Sequence, residues 1–113
     1  MGLVDDITRE RVEPSSVAVW WLGQAGYAYK LGGTVVYIDP YLSGMTNPSR
    51  LVEPAVMPWE IDNADIVLST HDHEDHADNG TLPIVAMSSP KALFIGPGSS
   101  CSKMLEWGMP RNR

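Results

Sequence analysis

The three histidines of this 113-residue chain fall within one short run, as His71, His73 and His76. Asp75 lies between the second and the third of them. Neutral imidazole and carboxylate are ligands that zinc, manganese and iron prefer in proteins. A bound divalent ion lowers the pKa of its water and polarises a carbonyl or phosphoryl oxygen. The run therefore predicts a metal site with hydrolytic chemistry.

The spacing divides these ligands between two metals. A β-branched run, DIVLST at 65–70, predicts a buried strand that leads directly into the histidines. At a strand end, His71 and His73 at i and i+2 point to the same side. Asp75 and His76 then lie on the following turn and can address a second metal, and the Asp75 carboxylate could also orient a bridging hydroxide.

A competing interpretation is an acidic, solvated loop whose histidines bind nothing or only adventitious metal. The neighbouring acids Asp72, Glu74 and Asp78 are each expected to face solvent or to cap a helix rather than to bind a metal.

The elements before the run form a strand meander. Strands are predicted at 17–22 (VAVWWL), at 27–31 and at 34–39 (TVVYID). Gly32-Gly33 predicts the hairpin turn between the last two. Trp20 and Trp21 are expected to be core and sheet-surface residues. Residues 1–16 are polar and predicted to be peripheral. Residues 40–59 contain four prolines and are predicted to form a long loop.

The elements after the run alternate helix and strand. A helix capped by Asp78 or Thr81 is predicted to end near Met87, and a strand follows at 92–96. A last helix is capped by Ser99 or Ser100 and ends at Trp107, where Gly108 follows. The pattern as a whole predicts an α/β (α+β) domain.

Composition narrows the class of partner. A net charge of −6 disfavours nucleic-acid binding, whereas a metal could still attract a small anionic substrate. Cys101 is the only cysteine, which fits a reducing cytosol. No apolar run approaches the roughly 20 residues of a membrane helix. The expectation is a cytoplasmic protein without a membrane partner, and a homo-oligomer is left open.

Several motifs resemble those of the metallo-β-lactamase superfamily. His71-x-His73-x-Asp75-His76 after a hydrophobic strand resembles its signature, and Tyr37-Ile38-Asp39-Pro40 resembles its strand ending in aspartate. Resemblance to the L-ascorbate-6-phosphate lactonase branch is carried by WWLGQAGY at 20–27, THDHEDHAD at 70–78, FIGPGSS at 94–100 and WGMPRNR at 107–113. It covers residues 17–113.

The resemblance implies the N-terminal part of an αββα sandwich that uses two divalent ions, Mn²⁺ or Zn²⁺, to hydrolyse a phosphorylated sugar-acid lactone. It implies His71 and His73 as ligands of the first metal. Asp75 and His76 would bind the second, with Asp75 also the catalytic, water-orienting base. Asp39 would support the ligand histidines; the alternative is a strand-end turn residue.

The departure from the family is in the number of ligands. The family draws a further histidine, a bridging aspartate and a last histidine from downstream regions, so this chain has two ligands per metal where a catalytic site needs three. We expect this 113-residue chain, assayed alone, to have no hydrolase activity. The alternatives are another metallo-hydrolase, such as a phosphodiesterase, or a non-catalytic metal-binding fragment that needs the C-terminal part.

Overall fold

The structure is a computed structural model that describes residues 2–23, 25–43, 54–73 and 76–111. The helices are α1 (Leu3–Arg9), α2 (Leu82–Ser88) and α3 (Gly98–Glu106). The strands are β1 (Ala18–Gly23), β2 (Gly26–Leu31), β3 (Thr34–Ile38), β4 (Ile66–Leu68) and β5 (Leu93–Ile95). A single 3₁₀ turn, Pro58–Glu60, interrupts the described part of the predicted long loop.

The five strands form one mixed sheet in the order β1-β2-β3-β4-β5. The first three are an antiparallel meander, and Gly32, at φ 59°, supplies the left-handed conformation that the β2–β3 turn requires. Strand β4 pairs in parallel with both β3 and β5, and α2 forms the crossover from β4 to β5. The predicted meander followed by β-α-β-α is confirmed, and with it the α/β (α+β) class.

The helices cover one face of the sheet. Alternate strand residues, among them Ala28, Val35 and Val67, enter a single buried cluster with the inner sides of α1, α2 and α3. Trp20 packs against this cluster, while Trp21 points the other way and is exposed, as expected of the pair. Among the described residues, the buried cluster therefore lies on the side of the sheet that the helices cover.

The opposite face, here called the open face, is also apolar. It consists of Val19, Trp21, Tyr27, Tyr29, Leu31, Thr34, Val36, Ile38, Ile66, Leu68, Leu93 and Ile95, of which Thr34 is the polar member. The pairing register places these residues side by side, for example Trp21 beside Tyr27 and Leu68 beside Ile95. None of the described helices is long and apolar enough to cross a membrane.

Two local features differ from the sequence-based expectation. Neither Ser99 nor Ser100 caps α3, because both lie inside a helix that begins at Gly98 after Pro97. The strand predicted at 65–70 is shorter, since only Ile66–Leu68 pairs. The N-cap residue of α2 is Thr81, one of the two predicted, although its side chain makes no capping bond.

Helix α1 lies within the polar segment 1–16 and is anchored to the sheet. Val4 and Ile7 are buried in the core. Lys30 of β2 points to the same side and is only 7% exposed. Its ammonium donates to the carbonyls of Ile7 at 2.9 Å and of Thr8 at 2.7 Å. A buried cation thus satisfies carbonyls at the end of α1, where the helix dipole is negative.

Candidate metal centre

The centre is built where two parallel strands end side by side. Ile38 of β3 pairs with Leu68 of β4, so the chain leaves both strands at the same edge of the sheet. The Asp39 amide donates to the Leu68 carbonyl at 2.8 Å, which extends the pairing by one step. Asp39 and Thr70 thereby become neighbours although 31 residues separate them.

Asp39 is buried and multiply bonded. It is 2% exposed and adopts φ 50°, a left-handed conformation that costs a non-glycine residue of order 1 kcal/mol or more. Its Oδ1 accepts from the Thr70 amide at 2.8 Å. Its Oδ2 accepts from the Thr70 hydroxyl at 2.6 Å and from His76 Nδ1 at 2.7 Å. These charge-assisted bonds offset both the burial of the carboxylate and the backbone strain.

The bonds around Asp39 assign the hydrogens of two histidine rings. A carboxylate only accepts, so Nδ1 of His76 carries the hydrogen. The single hydroxyl hydrogen of Thr70 is given to Asp39. At 3.0 Å from His71 Nδ1, the Thr70 oxygen must therefore accept, and Nδ1 of His71 also carries a hydrogen. Both rings consequently present Nε2 as the nitrogen through which a metal would bind.

The three imidazoles converge. The ring centres of His71 and His73 are 4.6 Å apart, and those of His71 and His76 are 3.8 Å apart. The turn that brings them together is closed by the His76 and Ala77 amides, which donate to the His73 carbonyl at 2.9 and 2.7 Å. The structure thus places all three predicted histidines in one cluster next to Asp39.

Two further contacts hold the backbone of this loop. Lys103 of α3 donates to the Asp72 carbonyl at 2.6 Å. The Ser69 hydroxyl donates to the His71 carbonyl at 2.8 Å and lies 3.1 Å from the buried Ser100 hydroxyl. The backbone at His71 and Asp72 is therefore held by the residue after β4 and by α3, which reduces the reorganisation that metal binding would require there.

The donor chemistry of the cluster fits a divalent transition metal, because two of its three imidazoles, His71 and His76, are preoriented through Nδ1. Within residues 2–23, 25–43, 54–73 and 76–111, however, no three His, Cys, Asp or Glu side chains are grouped so that they could hold a metal ion. Asp75, the predicted catalytic residue and metal ligand, lies outside these residues, as does Glu74. The described part supplies oriented donors rather than a complete ligand set.

Two other residues considered in the sequence, Asp78 and Cys101, make contacts within the fold. Asp78 is buried, and its carboxylate accepts from the Thr81 hydroxyl at 2.5 Å and from the Gly80 amide at 3.2 Å just before α2. These bonds hold the turn before α2 and do not cap the helix, whose N-cap residue is Thr81. Cys101 is partly buried, with its sulfur 3.5 Å from the Gly96 carbonyl.

Sequence reasoning did not identify Thr70, Ser69 or Lys103 as supporting residues. Thr70 had a usable signal, a hydroxyl residue between a strand end and the first histidine. Lys103 had none, since its contact with Asp72 spans 31 residues and depends on how α3 packs.

Comparison with known proteins identifies the family. Residues 18–103 match the beta-lactamase superfamily domain. The chain therefore belongs to the metallo-β-lactamase superfamily, and the mixed sheet with helices on one face is consistent with part of that fold.

Its relatives are UlaG-like. The chain is 31% identical over 137 aligned residues to the probable L-ascorbate-6-phosphate lactonase UlaG of Escherichia coli O139:H28 (strain E24377A). The same identity is found for the proteins of that name from Shigella boydii serotype 18 and Salmonella heidelberg. The alignment covers 98% of this chain and 39% of each relative, so the chain spans well under half of their length. The relatives' names denote hydrolases.

Proposed function

We propose that this chain carries the N-terminal ligands of the metal site of a metal-dependent hydrolase, and that the substrate is a phosphorylated sugar-acid lactone. The observation that carries the metal assignment is the arrangement in which one buried carboxylate, Asp39, orients His76 directly and His71 through Thr70. A structural histidine needs no such pair of oriented rings, whereas metal-binding histidines are commonly held in this way through the other ring nitrogen.

The ring distances favour dividing the histidines between two metals. Two imidazoles on one tetrahedral metal, at bond lengths of about 2.0–2.1 Å, hold their ring centres roughly 5 Å apart. His71 and His73, at 4.6 Å, are close to this value, whereas His71 and His76, at 3.8 Å, are too near to each other. We therefore assign His71 and His73 to the first metal, and His76 with Asp75 to the second.

Bound Mn²⁺ or Zn²⁺ would polarise the lactone carbonyl and lower the pKa of water. The chain's own contribution is orientation: Asp39 and Thr70 set the tautomers, and Lys103 and Ser69 hold the loop backbone. Asp75 is proposed as the base that orients the attacking water. A phosphorylated lactone as substrate is supported by the names of the relatives. Because the chain carries a net charge of −6, bound metal ions would have to supply the positive field that attracts such an anion.

A second candidate is a chain that binds metal without turnover. It is favoured by the incomplete ligand set among the described residues. In that case the 113-residue chain binds divalent ions weakly, and catalysis requires ligands from a longer polypeptide. A phosphodiesterase remains a third candidate on the same fold, because phosphodiester hydrolysis can use the same two-metal arrangement.

The experiment that tests the metal site is a stoichiometry and affinity measurement with Mn²⁺ and Zn²⁺. His73→Ala should reduce metal binding at least tenfold, whereas Asp72→Asn, a matched control on the same loop, should leave it unchanged. Equal metal content in wild type and His73→Ala would contradict the metal assignment.

The metal-loaded 113-residue chain is then offered a phosphorylated sugar lactone and, separately, bis(p-nitrophenyl) phosphate. We expect turnover of neither, because the ligand count is too low. Turnover of either substrate by the wild-type chain would overturn that count, and the substrate hydrolysed would identify the reaction class.

A further inference from the structure

Helix α3 is connected to the histidine loop at two consecutive carbonyl groups. Ser100 and Lys103 are three residues apart, so they lie on the same side of the helix. Lys103 Nζ donates to the Asp72 carbonyl at 2.6 Å. Ser100 Oγ lies 3.1 Å from Ser69 Oγ, whose hydrogen goes to the His71 carbonyl at 2.8 Å. One side of α3 is therefore connected to both of the peptide groups that follow His71 in the chain.

The direction of the bond between the two hydroxyl groups follows from their hydrogens. Ser69 gives its single hydroxyl hydrogen to the His71 carbonyl, which can only accept. Ser69 Oγ must then accept from Ser100, so the donors run from Ser100 through Ser69 to His71. Ser100 and Ser69 are 0% and 4% exposed, and hydrogen bonds in such a chain strengthen one another when they are shielded from water. Ser100 thus acts on the loop through a buried, directional pair of bonds.

The packing around the two serines is tight at Gly96, which lies between β5 and α3. A Cβ at this position would lie 3.1 Å from Ser100 Cβ, 3.2 Å from the Ser69 carbonyl oxygen and 3.4 Å from Ser69 Cβ. The absence of a side chain at Gly96 therefore lets α3 approach the end of β4 closely. The Ser69 amide also donates to the Ile95 carbonyl at 2.9 Å, which holds Ser69 against β5. The position from which α3 contacts the loop is thus fixed by the sheet.

We propose that the two α3 residues, Ser100 and Lys103, are positioning residues for the histidine pair assigned to the first metal, an inference that rests on the proposed function. Planar peptide groups join His71 to His73 and meet at the Asp72 Cα. Fixing the direction of both carbonyls fixes the rotation of one peptide plane against the other. The directions in which the two imidazoles leave the backbone are then fixed as well, and their ring centres lie 4.6 Å apart at an interplanar angle of 80°.

The histidine assigned to the second metal is oriented by a different bond. His76 Nδ1 donates to the Asp39 carboxylate at 2.7 Å, and this bond involves neither Ser100 nor Lys103. Loss of the α3 contacts should therefore alter the pair of His71 and its neighbouring ligand while the bond between His76 and Asp39 stays in place.

The test uses the 113-residue chain, Zn²⁺ as the probe and two variants with matched controls. Ser100→Ala removes the hydroxyl that donates to the loop. Its control is Ser89→Ala, because Ser89 is also buried and its hydroxyl also donates to a carbonyl, that of Ile61 at 2.7 Å. Lys103→Met removes the ammonium group, and Lys91→Met makes the same change of charge at an exposed position. Circular dichroism checks that all four variants fold.

The expected results separate positioning from stability and from charge. Ser100→Ala and Lys103→Met should each raise the Zn²⁺ Kd about 3- to 10-fold, less than the roughly 10- to 100-fold that follows loss of a partner on a ligand ring, because these contacts act on the backbone. Ser89→Ala and Lys91→Met should leave the Kd unchanged. Removal of a nearby positive charge by itself would tighten the binding of a cation, so weaker binding in Lys103→Met reports the lost contact.

A measurement on the metal-free chain keeps this inference separate from the proposed function. Nuclear Overhauser effects between the His71 and His73 rings should weaken in Ser100→Ala and Lys103→Met and persist in both controls. The Nδ1–H signal of His76 should persist in every variant. If wild type binds no Zn²⁺, the proposed function fails, and the ring contacts alone decide the inference. Ring contacts and Zn²⁺ affinity that both stay as in wild type in the two α3 variants would overturn the inference and leave the metal site standing.

Discussion

Replacing Thr70 by valine is expected to weaken divalent-metal binding and to release the ring of His71. Valine keeps the β-branched shape of threonine and replaces the hydroxyl with a methyl group. The change deletes the 2.6 Å bond to the Asp39 carboxylate, the 3.0 Å bond to His71 Nδ1 and the longer 3.4 Å contact with His76 Nδ1. The Thr70 amide still donates to Asp39, and His76 keeps its own bond to that carboxylate. The loss therefore falls mainly on His71.

The magnitude follows from these bonds. A hydrogen bond to a charged group contributes about 1.5–3 kcal/mol, and part of that is recovered because Asp39 retains two other donors. Removing a partner that orients a metal ligand typically costs about 10- to 100-fold in metal affinity. We expect a Kd about 10- to 30-fold higher for Thr70→Val, or about 1.4–2 kcal/mol. Thr70→Ser, which keeps the hydroxyl, should stay within about threefold of wild type.

Two assays check this reasoning. Competition against a chromophoric chelator gives the metal Kd. Long-range ¹H–¹⁵N spectra of the metal-free chain show which ring nitrogen carries the hydrogen. Wild type should show Nδ1–H for both His71 and His76, and Thr70→Val should change His71 alone. An Nε2–H tautomer at His71 in wild type, or a Thr70→Val chain with unaltered spectra and Kd, would refute the arrangement.

Three further predictions concern the support of the centre. Lys30→Met should lower the free energy of unfolding by about 1–3 kcal/mol and increase hydrogen exchange in α1, because carbonyls at the helix end lose a buried donor. Burial raises the pKa of Tyr37, so the folded chain keeps its phenol protonated while the unfolded chain ionises near pH 10. Stability should therefore fall as the pH rises above that value, and Tyr37→Phe should reduce the slope in denaturant titrations. Gly26→Ala would place the new Cβ 2.8 Å from the Asp39 carbonyl oxygen. This variant should lower the free energy of unfolding by about 1–3 kcal/mol and should also weaken metal binding. Gly33→Ala is the control, because its Cβ would meet no atom within 4 Å, and it should change neither quantity.

Those features of the protein that depend on neighbouring residues could be predicted from the sequence. The histidine run is such a feature, because its ligands lie within a few residues on one strand end and turn. The strand meander and the Gly32-Gly33 hairpin are others, because alternation and turn chemistry act over two to six residues. Asp39 was predicted through family resemblance rather than from spacing.

Features that depend on packing could not be predicted. No periodicity marked α1, whose helix is held by Val4 and Ile7 in the core and by Lys30 from a distant strand. Likewise, a serine before a helical pattern suggested a cap, whereas α3 begins one residue earlier, at Gly98. In both places the chain's local preferences were weaker than its contacts with the rest of the fold.

The sequence by itself determined that three imidazoles lie close together along the chain, which is enough to indicate metal chemistry. Only the tertiary structure decided how they are oriented. The parallel pairing of β3 and β4 in one register, Ile38 with Leu68, brings Asp39 to Thr70 and to His76, 31 and 37 residues away. A hydrogen bond requires atoms about 3 Å apart, and across such separations only the pairing of strands sets that distance.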